Sequence, residues 1–102
     1  MAIKSKPFDA ARYFPDDASQ VSLLNDALHE GDPGYIAAAI GTIAKARGLS
    51  EVARESGLNR QALHKALSDG GNPTIDTVMR VLGELGIELH ATVKRQVKAE
   101  YA

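Results

Sequence analysis

The sequence predicts a mainly α fold, a bundle of about five helices followed by one C-terminal β-strand. Apolar residues recur at helical spacing between residues 16 and 86, and capping polar residues and glycines punctuate them. Residues 87–94 then alternate strictly, with Ile87, Leu89, Ala91 and Val93 set against Glu88, His90, Thr92 and Lys94. A chain of 102 residues, 44% hydrophobic, suits one globular unit with a modest core.

Residues 1–15 contain two prolines and read as an arm with limited structure. "DDASQVSLLNDALHEG" is helical, with Val21, Leu24 and Leu28 as its apolar stripe and Gly31 as its stop. In "DPGYIAAAIGTIAKARG", Asp32 is an N-cap, Pro33 takes the first helical position and Ile36, Ala39, Ile40 and Ile43 face inward. Lys45 and Arg47 suit the negative end of that helix, and Gly48 a left-handed stop. A short helix is expected from Ser50 to Gly57, and another after Asn59, broken by "DGGNP". A last helix is capped by Thr74 and faces Ile75, Val78, Met79, Leu82 and Leu85 inward. The alternating strand needs a partner, because a lone strand leaves its backbone groups unpaired. The N-terminal arm or the same strand of a second molecule could supply it. The arm lacks matching alternation, which favours a two-fold dimer.

With no cysteine, the chain has no disulfide framework, thiolate metal site or cysteine nucleophile. No apolar run resembles a signal peptide or a membrane span, so a cytoplasmic protein is expected. His29, His64 and His90 fall on separate elements without metal-ligand spacing. No Ser/His/Asp set or phosphate-cradling loop emerges either. The expectation is a non-enzyme without metal or cofactor.

Net charge is −1, but residues 35–68 carry five basic and two acidic groups while residues 1–34 carry three basic and six acidic. Positive charge therefore gathers around "GLNRQALHKALSDGGNP". On a wheel of 100° per residue, Arg60, His64, Ser68, Gln61 and Lys65 share one side. Ala62, Leu63, Ala66 and Leu67 take the other, and no residue of the polar side is acidic. Ala53 is small where two helices approach, Gly57 permits a turn with positive φ, and Leu63 plugs the core six residues on. This is helix-turn-helix spacing. It aims the second helix at a major groove, where Arg or Lys pairs with guanine and Gln or Asn with adenine. Residues 32–86 thus form a candidate DNA-binding unit, between an arm and helix at 1–31 and a strand and tail at 87–102.

The run from Gly48 to Leu89 resembles the helix-turn-helix of the Xre/Cro repressor class. More closely, "PFDAARYF", "EGDPGYIAAAIGTIAKARG" and the "ALxKALSxxGNPT" element at Ala62–Thr74 resemble the addiction-module antidote proteins, a HigA-like group often found in prophages. The resemblance spans about residues 7–93. Relative to the broader repressor class, the interval from Leu49 to Ala53 is two residues shorter, as in the antidote group.

The resemblance implies a bacterial antitoxin that binds a small, basic RelE/ParE-like toxin and represses its own operon on double-stranded operator DNA. Carried over by position, Asn59, Arg60, Gln61, His64 and Lys65 are the base readers. Lys45, Arg47, Arg54 and Ser68 are phosphate contacts, with Arg54 alternatively solvated or paired with Glu51 or Asp69. The acidic N-terminal third is a candidate toxin surface, although a solvated face is the more frequent explanation for such residues. A stand-alone prophage or chromosomal repressor would carry the same DNA face, and a pure protein-binding module would leave it idle.

Overall fold

In the computed structural model, which describes residues 10–68 and 70–94, every helix but the third starts at a side-chain cap. A short 3-10 turn (Ala10–Tyr13) precedes α1 (Asp17–Glu30), α2 (Pro33–Arg47), α3 (Leu49–Ser56), α4 (Arg60–Ala66) and α5 (Ile75–Leu85). Asp16 opens α1 with a capping box, accepting from the Ser19 N–H at 2.8 Å. Asp32 and Thr74 cap α2 and α5 as expected, accepting from the Tyr35 and Thr77 N–H groups at 3.0 and 3.1 Å. The third helix begins one residue earlier than the sequence suggests. Gly48 (φ 107°, ψ 95°) lies outside the left-handed helical well and passes the chain directly from α2 into α3, which has no side-chain cap.

All five helices feed one core. Leu24 of α1, Ile40 and Ile43 of α2, Val52 and Ala53 of α3, Leu63 and Leu67 around α4, and Val81, Leu82 and Leu85 of α5 are buried together. α2 passes close to the residue that ends α4. A Cβ on Gly41 would stand 2.0 Å from the Leu67 carbonyl oxygen, so only glycine fits there.

Two helical faces are rotated from their expected positions. On α1 the buried residues are Gln20, Leu24 and Ala27, while Val21 and Leu28 reach solvent. The reason is polar. Gln20 is buried because its side chain bonds to the Phe14 carbonyl and to Arg47, and this turns α1 inward on that side. On α5, Val78, Val81, Leu82 and Leu85 pack on the core, whereas Met79 is 52% exposed and Ile75 75%. Met79 is one residue, about 100° of helix, past Val78. Ile75 lies in the first turn, ahead of the buried part of the helix.

The expected C-terminal strand is not formed among the described residues. Beyond the Ile87 N–H, which bonds back to the Leu82 carbonyl at 3.0 Å to close α5, residues 88–94 make no backbone hydrogen bond among the described residues. A ladder needs a second strand, and no described segment of the same chain lies alongside. The arm at 1–9, the other expected partner, lies outside the described residues, as does the tail from 95. Among the described residues no helix is long and apolar enough to cross a membrane, and no three His, Cys, Asp or Glu residues group as metal ligands.

Candidate nucleic-acid interface

The turn between α3 and α4 is fixed by backbone geometry. Gly57 adopts φ 75° and ψ 24°, a conformation costly for any residue with a Cβ. The next amide, of Leu58, returns to the Ala53 carbonyl at 2.9 Å, and the Leu58 side chain packs on the core. Asn59 is extended (φ −75°, ψ 130°) and caps α4, its side-chain oxygen accepting from the Ala62 N–H at 2.9 Å. Leu63 and Leu67 then anchor α4, at 2% and 3% exposure, so this seven-residue helix is held from one edge only. Beyond it the chain folds back tightly, since a Cβ on Gly71 would meet the Ala66 carbonyl oxygen at 2.1 Å.

Anchoring by two leucines sets which side chains project. With Leu63 and Leu67 inward, Lys65 lies opposite, flanked by Gln61 and Ala62. Ala62 is exposed and Ala66 half-buried, so the apolar half of the sequence wheel is narrower than expected. Small size conceals such a residue from a hydrophobicity pattern, because an alanine suits either side. Its methyl group at the border of the polar face, beside Lys65, is the kind that contacts a thymine methyl. Arg60 and His64 sit at the edge of the face. Arg60 is braced, its Nε donating to the Ser50 hydroxyl of α3 at 2.8 Å. Among the described residues, Gln61, His64 and Lys65 make no side-chain hydrogen bond or ion pair, which leaves their donors available.

The expected phosphate contacts divide. Lys45 is exposed and makes no ion pair among the described residues. Ser68 is half-buried and donates to the Lys65 carbonyl at 2.8 Å, closing the end of α4. Arg54 bonds Glu51 and reaches Glu55 at 3.2 Å; the hydrogen bond from Arg54 holds the Glu51 carboxyl below its ordinary range. The other suggested partner, Asp69, lies outside the described residues. Arg47 is engaged in contacts within the fold. It donates to the Gln20 oxygen and the Leu85 carbonyl, both at 2.8 Å, and pairs with Asp17 at 3.1 Å. The acidic groups of the first third also serve the fold. Asp16 and Asp32 are caps, Asp17 holds Arg47, and Asp26 accepts from the Tyr35 hydroxyl at 2.6 Å.

The fold and face therefore define a small all-helical protein that presents an acid-free polar helix from a tight glycine turn. The family described as "Probable addiction module antidote protein" matches residues 4–93, and the chain belongs to that family. It is also 38% identical over 95 residues to an uncharacterized protein of Haemophilus influenzae, covering 93% of this chain and 98% of that one. No solved structure matches the chain.

Proposed function

We propose that this chain is the HigA-like antitoxin of a type II toxin–antitoxin module. It neutralises a RelE/ParE-like toxin by direct binding and represses its own operon, acting in the cytoplasm without enzymatic activity or cofactor. Repression uses an Xre/Cro-type helix-turn-helix, with α4 entering the major groove of operator DNA. Membership of the antidote family supports the toxin-binding half. The observation that carries the DNA-binding half is the outward set of Gln61, Ala62 and Lys65, with Arg60 braced beside them and no acidic side chain on the face. Arg47 is left out of the phosphate set because three of its five N–H donors are tied to Gln20, Leu85 and Asp17, while Lys45 stays in it. A homodimer would read half-sites about one helical turn apart, roughly 34 Å.

The test is co-expression with the product of the adjacent small reading frame, scoring growth rescue and co-purification together. A toxic neighbour that becomes harmless and co-purifies is the expected result. A harmless neighbour that does not associate, with operator binding retained, would replace this reading by a stand-alone prophage or chromosomal repressor. Binding that ignores salt and DNA sequence would point to a protein-binding module, since neutralised phosphates make DNA affinity fall steeply with salt.

A further inference from the structure

We propose that residues 88–94 of two copies of this chain pair as an antiparallel ribbon whose two-fold axis passes through Ala91. The inference deepens the dimer reading above and is independent of the toxin. It starts from the unpaired backbone, since residues 88–94 make no backbone hydrogen bond among the described residues although their side chains alternate with period two. Unpaired edges of this kind pair with another strand.

The side chains select the second copy as occupant and fix the register. An antiparallel pair keeps its apolar face only when odd-numbered residues oppose odd-numbered ones. Centring on Ala91 places Leu89 opposite Val93 on one face, and Glu88 opposite Lys94 and His90 opposite Thr92 on the other. Each apolar residue then meets an apolar one, and the two terminal charges meet opposite charges, twice by symmetry. Centring on His90 faces that residue with itself and strands Glu88 against Thr92. Centring on Thr92 brings His90 against Lys94. Centring on Leu89 leaves Val93 and Lys94 outside the ribbon. Only the Ala91 register pairs the Glu88 carboxylate with the Lys94 ammonium.

The same register covers an exposed groove. Between α1 and the segment after α5 lies a space of about 440 Å³ lined by the apolar Val21, Leu24, Leu28, Ile87 and Leu89 and, at its polar side, by Glu88 and His90, which contact each other at 3.2 Å. Leu89 is 41% exposed and Val93 82%. Directly opposed residues stand about 4.5–5.5 Å apart at Cβ, so Val93 of the second copy arrives beside Leu89 at the mouth of the groove. A two-stranded ribbon is marginal in water, and packing on a helix is what stabilises one. The α1 face supplies that support.

The chain has no cysteine, so single cysteines report the register in the full-length protein. Ala91→Cys should yield a covalent dimer under mild oxidation, because facing Cα atoms at about 4.5–5.5 Å fall within disulfide reach. Glu88→Cys should not, since its two copies lie six residues, roughly 20 Å, apart along the ribbon. By sedimentation, Glu88→Lys should weaken association several-fold and the double exchange with Lys94→Glu should restore it. A monomeric parent chain, a dimer in which Ala91→Cys stays uncrosslinked, or a ribbon formed only with the toxin would overturn the proposal. Growth rescue by the antitoxin is scored separately, so failure here leaves that reading standing.

Discussion

Arg47 donates through Nε to the side-chain oxygen of Gln20 at 2.8 Å, and Gln20, only 1% exposed, donates its own amide to the Phe14 carbonyl at 2.8 Å. Arg47 also takes the Leu85 carbonyl, so one pair of side chains joins the segment before α1, the end of α2 and the end of α5. Gln20→Ala should therefore strand the part-buried Phe14 carbonyl and one guanidinium donor, costing about 1–3 kcal/mol of stability. Urea unfolding checks this. Arg47→Ala should likewise lower stability while leaving the salt dependence of DNA binding unchanged. A reduced salt slope with unaltered stability would return Arg47 to the phosphate set.

Gly57 and Gly41 are both needed, for opposite reasons, and one substitution separates them. A Cβ on Gly57 would have its nearest neighbour at 3.9 Å, the Arg80 Nη1, so the cost of Gly57→Val is backbone strain, about 1–3 kcal/mol. Asparagine tolerates the left-handed region, so Gly57→Asn should retain most stability. Gly41 has an ordinary helical backbone but no space, and Gly41→Ala should force α2 from Leu67 at a cost of about 1–3 kcal/mol. Asparagine there should be worse than alanine. Equal tolerance of asparagine at both positions would mean that the turn is misassigned.

Local chemistry made much of this architecture legible. Asp32, Asn59 and Thr74 announce their caps because a short polar side chain before an apolar period has few other uses. What stayed hidden depends on contacts remote in sequence. Gln20 looks like a surface residue until Arg47 arrives from α2, and their bond rotates Val21 and Leu28 outward. Arg47 looks like a phosphate ligand for the same reason, since a wheel cannot show that its guanidinium is held by Gln20, Leu85 and Asp17. Ala62 is too small to declare its side. The alternation at 87–94 is plain, yet a strand assignment requires a neighbour that the described residues of one chain do not provide.

Acid should weaken the start of α1. The Ser19 backbone N–H holds the Asp16 carboxyl below the usual aspartate range. A carboxyl depressed in the folded state contributes stability that is full above its unfolded value and is lost as pH falls through the folded one. Asp16→Asn keeps an acceptor for the Ser19 amide but removes the titration. The variant should be less stable than the parent near neutral pH, and the gap should close below the ordinary carboxylate range. A gap independent of pH in paired urea titrations would show that the charge of Asp16 contributes nothing.

The exposed face of α4 separates reading from folding. Gln61→Ala should cost about 1–3 kcal/mol at one position of each half-site and relax base preference there, whereas Lys45→Ala, in the phosphate set, should weaken all sequences alike and lower the salt slope by about one. Ala62→Glu is the sharper test. If Ala62 belonged to the core, as the wheel alone suggests, burying a carboxylate would unfold the protein. In the structure Ala62 is exposed, so the variant should keep its unfolding midpoint and lose DNA binding through repulsion from phosphate. Ala62→Glu that folds and still binds operator would show that this side of α4 does not face DNA. The search for the interface would then move to Arg60 and His64, on the edge nearer α3.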